Sequence, residues 1–326
     1  MEIKKQRRTN KIQGYADHPF ARHSPTIDDL VYAFRLDCQS RKLAPRTITC
    51  YEDGIHYLQN IFAEQNRPFY VTTVTTSDLQ KHFIGYMVSK KLAPQTINGR
   101  LGSCKAFFKF LFHERYVKEN IAQPLKNLRT PKDAIQTFTK AELLTLLKQP
   151  DQSTFTGFRD YTLQILLLET GIRISELLAL TVDDVHLSEK ELIVRNGKGN
   201  KTRIVPFQKT CAKVLQKYLK ERGNVPTDAL FITIDNMPLQ LRSVQDRIRD
   251  YGLRAKISGV RVSPHTFRHT MAKLYIRNGG DPFSLQQILG HSSLDSVQMY
   301  VRLFSNEVKE QHRKYSPVEH MKARWN

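Results

Sequence analysis

Residues 261–302, RVSPHTFRHTMAKLYIRNGGDPFSLQQILGHSSLDSVQMYVR, constrain this chain more than any other stretch. They hold three sets of helix start and stop signals. Ser263 offers an N-cap oxygen and Pro264 stands at the first helical position. Gly279-Gly280 stops that helix. Asp281-Pro282 opens the next, and Gly290 closes it directly before His291. Ser292 or Ser293 caps a third helix, which carries Tyr300. His265 and Arg268 follow one turn apart and share a face. The polar groups therefore fall near helix starts or in the turns between helices. Backbone N–H groups and positive dipole ends gather there and suit an anion such as phosphate.

The charge points to the same kind of partner. The 326 residues carry a formal net charge of +20 at pH 7. Residues 1–135 hold 22 Lys and Arg against 12 Asp and Glu, and the remainder holds 29 against 19. The excess is therefore spread over both halves rather than gathered in a tail, as expected of a chain that contacts a polyanion along its length. With 40% hydrophobic and 25% charged residues, wholesale disorder is excluded. Cys38, Cys50, Cys104 and Cys211 are scattered, without zinc spacing, which predicts reduced thiols in a cytoplasmic protein. The basic N-terminus leads into no apolar signal segment, and no apolar run reaches membrane-spanning length.

Residues 1–24 are polar and basic, without periodicity, and are expected to form a flexible arm. Residues 25–128 are helical throughout and predict a bundle of four or five helices. An internal echo runs through it: LAPRTITCY at 43–51 and LAPQTINGR at 92–100, each with proline where a helix opens. Around these starts lie Arg46, Thr47, Lys91, Gln95, Thr96 and Arg100, with Lys105 further on, as candidates for holding DNA phosphates and reaching base edges. Phe107, Phe110 and Leu111 have core spacing. Residues 129–138 read as a linker, and Thr139 with Glu142 forms a capping box that opens a second domain, 139–317, ahead of a tail at 318–326. In that domain FRDYTLQILLLETG is an apolar helix ending at Gly171, with Arg173 at the junction and Glu176 one turn on. KELIVRNGKGNKTRIVPF reads as a β-hairpin with Lys198 at its tip, Leu192 and Val194 on one strand and Ile204 and Val205 on the other. Basic helices follow at 208–222 and from Leu241. ALFIT between them suggests a short strand, and a further helix is expected at 305–314. The fold class is mainly α with a small antiparallel sheet in the second domain.

The candidates for chemistry are Arg173, Lys198, His265, Arg268, His291 and Tyr300. No carboxylate cluster accompanies them, so no metal is expected, and no cofactor. Two guanidiniums suit a five-coordinate phosphodiester transition state. A tyrosine then serves as nucleophile, with lysine and histidine moving protons. Exchange of one ester for another needs no ATP, and the chain has no G-x-x-x-x-G-K-[ST] loop. Tyr300 by itself sits on the rim of an apolar stripe made by Leu294, Val297, Val301 and Phe304, a position that by itself fits amphipathic packing.

The chain resembles the tyrosine recombinase (phage integrase) family, most closely its Xer-like and transposon-borne members. The resemblance rests on T-G-I-R-I-S-E-L at 170–177, G-K-G-N-K at 197–201, H-T-F-R-H at 265–269, L-G-H-S-S at 289–293 and Tyr300. It implies that Arg173 and Arg268 grip the scissile phosphate, that Lys198 protonates the departing 5′ oxygen, that His265 assists proton transfer from the tyrosine, and that His291 hydrogen-bonds the phosphate. Tyr300 would attack and hold the 3′ phosphate, with Glu176 supporting the site from behind. It further implies a helical core-binding (SAM-like) domain that closes with the catalytic domain into a two-domain C-shaped DNA clamp. The implied partners are a double-stranded recombination site and three more copies of the chain, in a tetramer joined by exchange of C-terminal helices, acting through a Holliday junction. A second recombinase sharing the site is left open, as is the choice among integration, transposition and dimer resolution. Phe267 stands where the family commonly has leucine, a packing change. The arm is shorter than the folded arm-binding domain of the larger phage integrases, which implies a simple core site. Two alternatives stay open: a non-catalytic DNA-binding regulator on the same fold, and a type IB topoisomerase-like activity.

Overall fold

The computed structural model describes residues 25–130, 135–195, 202–290 and Ser316. It is mainly helical, with one three-stranded antiparallel sheet. The chain divides into two compact units, residues 1–133 and 134–326.

In the first unit, α1 (Ile27–Ser40) opens on a capping box in which Asp29 N–H donates to Thr26 Oγ1 at 3.2 Å and Thr26 N–H donates to the Asp29 carboxylate at 2.9 Å. Next comes α2 (Pro45–Glu64). A continuous helical run follows: α3 (Thr76–Asp78), a π-helical stretch Leu79–Gly85, then α4 (Tyr86–Ser89). The last helix of the unit is α5 (Pro94–His113). The sequence echo is structural. α2 and α5 both begin at proline, and Lys42 (φ 55°) and Lys91 (φ 56°) turn the chain just before each. The echo extends to Gly54 and Ser103, both nine residues past their prolines. The two helices meet there, since a Cβ on Gly54 would lie 2.3 Å from Ser103 Cβ. Phe107, Phe110 and Leu111 are buried as their spacing predicts, and the Phe34 ring meets Phe107 edge-on at 5.6 Å.

The second unit begins with α6 (Lys140–Leu147), capped by the predicted Thr139–Glu142 box. The apolar α7 (Phe155–Thr170) packs against α9 (Lys209–Arg222) and α11 (Pro264–Arg277). It ends at Gly171, which is left-handed at φ 59°. A side chain there would also meet Leu289 at 2.8 Å, so only glycine fits. α8 (Ile174–Leu178) leads through a short 3-10 turn into β1 (Val185–His186), β2 (Glu191–Val194) and β3 (Arg203–Pro206). α10 (Leu241–Arg254) follows α9, and α12 (Pro282–Leu289) follows α11. Ser263 caps α11 and Asp281 caps α12, each with proline in the first turn, and Gly290 ends α12 at φ 63°. Phe267 is fully buried and packs edge-on against Phe138 at 5.2 Å.

Two expectations change, at the linker and at ALFIT. Residues 135–138, read as the end of the linker, belong to the second unit. Phe138 is buried there and its N–H donates to Thr270 Oγ1 at 3.0 Å, while Lys273 Nζ donates to Thr137 Oγ1 at 2.8 Å. On β3, Ile204 faces away from the core side that Val205 takes. Period-two alternation leaves it 57% exposed, while Val205 is buried opposite Leu192. ALFIT forms no strand, only isolated bridges Thr181–Ala229 and Ile232–Pro238. The arginines of α10 also have partners within the fold. Arg242 and Arg249 pair with Asp246, Arg254 with Asp250, and Arg247 reaches the buried Asp160 on α7 at 2.5 Å. Among the described residues no helix is long and apolar enough to cross a membrane.

Candidate active site

The second unit brings Arg173, Glu176, His265 and Arg268 to the α7–α8 junction and the start of α11. Arg173 is the N-cap of α8. Its N–H donates to one Glu176 carboxylate oxygen at 2.9 Å and its Nη1 to the other at 2.8 Å. A cap that donates through both backbone and side chain fixes the guanidinium relative to the helix start. The Arg173 side chain keeps 26% exposure, so part of it reaches solvent. Arg268 is buried on α11. Its Nη1 donates to Gly171 O at 2.6 Å and its Nη2 to Leu289 O at 2.8 Å. The carbonyl that the left-handed Gly171 leaves without a helical partner is thus the one that anchors Arg268.

His265, in the first turn of α11, is open to solvent. Lost hydration on its protein side, then the charges of Arg268, Arg261 and Arg173, hold its pKa below the ordinary histidine value. It is therefore neutral at neutral pH, with both candidate arginines in its electrostatic surroundings. His269, one turn on and half-buried, is lowered too, by burial first and then by His265 and Arg268.

Glu176 is 6% exposed. Burial pushes its carboxyl up. The hydrogen bonds and charge of Arg203, with those from Arg173, outweigh burial and hold it at about 2, against an ordinary 4.5. Because the folded value is depressed, the carboxylate stabilises the fold fully above about pH 4.5 and loses that contribution as pH falls toward 2. Glu176→Gln should therefore cost stability at pH 6 but much less at pH 3, the gap narrowing by about 2 kcal/mol. Urea unfolding of both chains at the two pH values reads this. A gap independent of pH would mean the carboxylate is not held ionised by its arginines.

Arg203 is the residue that sequence reasoning missed. It stands opposite Val194 on the inward face of the hairpin, with its side chain 14% exposed. It binds both Glu176 oxygens, at 3.1 and 2.8 Å, and donates from Nε to Ile288 O at 3.0 Å. Alternation was the available signal. Val205 inward and Ile204 outward put Arg203 inward again, where a charge needs a partner.

Lys198, His291 and Tyr300 lie outside the described residues, as do the arm at 1–24 and the expected helix at 305–314. In the first unit, Arg46, Lys91, Gln95 and Thr96 are exposed around the starts of α2 and α5, and Thr47 is half-buried. Arg100 lies over the Tyr57 ring at 4.5 Å and Lys105 donates to Asn127 at 3.3 Å, so both are engaged within the fold. Among the described residues no three His, Cys, Asp or Glu side chains gather as a metal-holding group.

Residues 136–307 match the model of the phage integrase family, and residues 38–115 match the phage integrase N-terminal SAM-like domain. Tyrosine recombinase XerC of Chlamydia caviae is 32% identical over 258 residues, covering 78% of this chain and 81% of that protein. Tyrosine recombinase XerD of Listeria monocytogenes is 30% identical over 289 residues, covering 85% of this chain and 94% of that protein. In fold, the chain is similar to the Tn1549 transposon integrase, solved with a circular intermediate DNA, with TM-score 0.68 and 21% identity over 90% of this chain and 99% of that one. It is also similar to the XerH site-specific recombinase bound to its difH substrate, with TM-score 0.68 and 19% identity over 90% of this chain and 85% of that one. Both family models, in order along one chain, and relatives aligned over most of their length lead to one conclusion: this chain belongs to the phage integrase family, the tyrosine recombinases.

Proposed function

We propose that this chain is a site-specific DNA recombinase. It cleaves and rejoins strands through a covalent 3′-phosphotyrosyl intermediate and a Holliday junction, without metal or ATP. The observation that carries the reading is that Arg173 and Arg268 are both anchored by protein acceptors, with His265 one turn before Arg268 on α11. Both guanidiniums are held by protein acceptors before DNA arrives, so they need little reorganisation when charge builds on the phosphate. Tyr300 attacks phosphorus. Its proton passes toward His265, which is neutral and can accept it. Lys198 protonates the departing 5′ oxygen, and His291 hydrogen-bonds a non-bridging oxygen. The reverse exchange by a 5′ hydroxyl reseals the strand, so bond energy is conserved.

In the first domain, Arg46, Thr47, Lys91, Gln95 and Thr96 contact the duplex from the starts of α2 and α5. Arg100 and Lys105 contribute less, since each already has a partner. The working assembly is a tetramer on two duplexes, joined through the C-terminal segment. Action on chromosomal or mobile-element DNA implies a cytoplasmic, nucleoid-associated location. The Tn1549 and XerH structures were both solved with DNA, which supports the choice of partner.

The test is covalent capture. A nicked duplex whose cleaved fragment diffuses away should trap the chain on DNA in EDTA, in a band resistant to denaturant. Free cleaved DNA with no attached protein would point to a hydrolytic nuclease instead.

A further inference from the structure

Arg203 occupies an unusual place for a charge, inside a hairpin face that otherwise carries Leu192, Val194 and Val205 into the core. Its three hydrogen bonds go to two distant parts of the chain. Nη1 and Nη2 reach the Glu176 carboxylate on α8, and Nε reaches Ile288 O in the last turn of α12. Room for the guanidinium is reserved by Gly290, where a Cβ would come within 2.8 Å of it. The same carboxylate grips Arg173, and the next carbonyl, Leu289 O, is held by Arg268.

We infer that Arg203 is a positioning residue for strand cleavage: it fixes β3, the Arg173 junction and the end of α12 in one register. The inference rests on the reaction proposed above. Lys198 lies five residues before Arg203, and His291 lies three residues after Ile288. One planar fork therefore joins β3, which follows the lysine in sequence, the junction that carries the first arginine, and the end of α12, which precedes the second histidine in sequence. The rigid guanidinium can face a carboxylate with two nitrogens and a carbonyl with the third. Lysine supplies the charge against Glu176, but its single nitrogen cannot span both acceptors in that geometry. Misregister of donors by about 1 Å is enough to cost on the order of 100-fold in rate.

Single-turnover cleavage of the nicked duplex at saturating DNA tests this, with melting temperature and single-site affinity measured beside it. Arg203→Met should cleave about 10- to 100-fold more slowly while binding DNA within about threefold of the unmutated chain. Arg203→Lys should recover part of the rate. A folded Arg203→Met chain that cleaves within about twofold of the unmutated one would overturn the inference. So would a loss accounted for entirely by weaker DNA binding or a smaller folded fraction. If the methionine chain does not fold, Arg203→Lys carries the test, expected about three- to tenfold slow, and an unchanged rate overturns it. Absence of adduct from the unmutated chain is a separate failure, read in the control, and falls on the proposed reaction itself.

Discussion

A Tyr300→Phe chain is expected to bind a recombination-site duplex as tightly as the unmutated chain and to leave no covalent protein–DNA product. The substitution removes one oxygen and keeps the ring. The sequence places Tyr300 at the rim of the stripe formed by Leu294, Val297, Val301 and Phe304, and phenylalanine can fill that rim as well as tyrosine. Any loss is then chemical rather than structural. Removing the nucleophile of a covalent catalyst costs on the order of 10^4-fold or more, because the remaining groups stabilise a transition state that no longer forms by that route. Denaturing gels for the adduct, with gel shifts for affinity, separate the two. Retained adduct would move the nucleophile elsewhere, and lost affinity would mean that the ring carries a binding contact.

Arg268→Ala should fail twice, in stability and in chemistry. Arg268 is 5% exposed, and its guanidinium donates to Gly171 O and Leu289 O. Truncation strands two carbonyls and opens a cavity, a cost of about 2–4 kcal/mol. In the proposed reaction it also removes a charged donor to the developing phosphate charge, worth about 10^2- to 10^3-fold in rate. Arg173→Ala provides the contrast. Its side chain is 26% exposed and its ion-pair partner Glu176 keeps Arg203, so the stability loss should be small while the rate loss is comparable. Urea unfolding and single-turnover cleavage of the two variants give a two-by-two result. Equal stability losses would contradict the anchoring of Arg268 described here.

Local chemistry made the helix ends legible. Ser263-Pro264, Asp281-Pro282, the Thr139–Glu142 box, Gly171 and Gly290 all act within a few residues of themselves, and each starts or stops a helix where the sequence says. The L-A-P-x-T-I echo was legible for the same reason. What the sequence hid depends on partners far away in the chain. Arg268 is anchored by carbonyls 97 and 21 residues distant, which its i, i+3 spacing from His265 cannot reveal. Arg247 on the basic helix α10 is claimed by Asp160, 87 residues before it, which the local pattern of α10 cannot show. Arg203 was half legible: with Val205 inward, alternation turns Arg203 inward too, but its partners on α8 and α12 leave no local trace in the sequence. The family resemblance supplied roles for Arg173 and Arg268. The structure adds the acceptors that hold them and the third arginine that shares Glu176.

The most direct test of the central claim is to identify the residue that carries the DNA. The adduct formed on a nicked duplex in EDTA would be digested with nuclease and protease, and the nucleotide-bearing peptide sequenced by mass spectrometry. A single modified residue is expected, Tyr300, joined to a 3′ phosphate. A nucleotide on any other residue, a 5′ linkage, or an adduct that forms only when divalent metal is restored would contradict it.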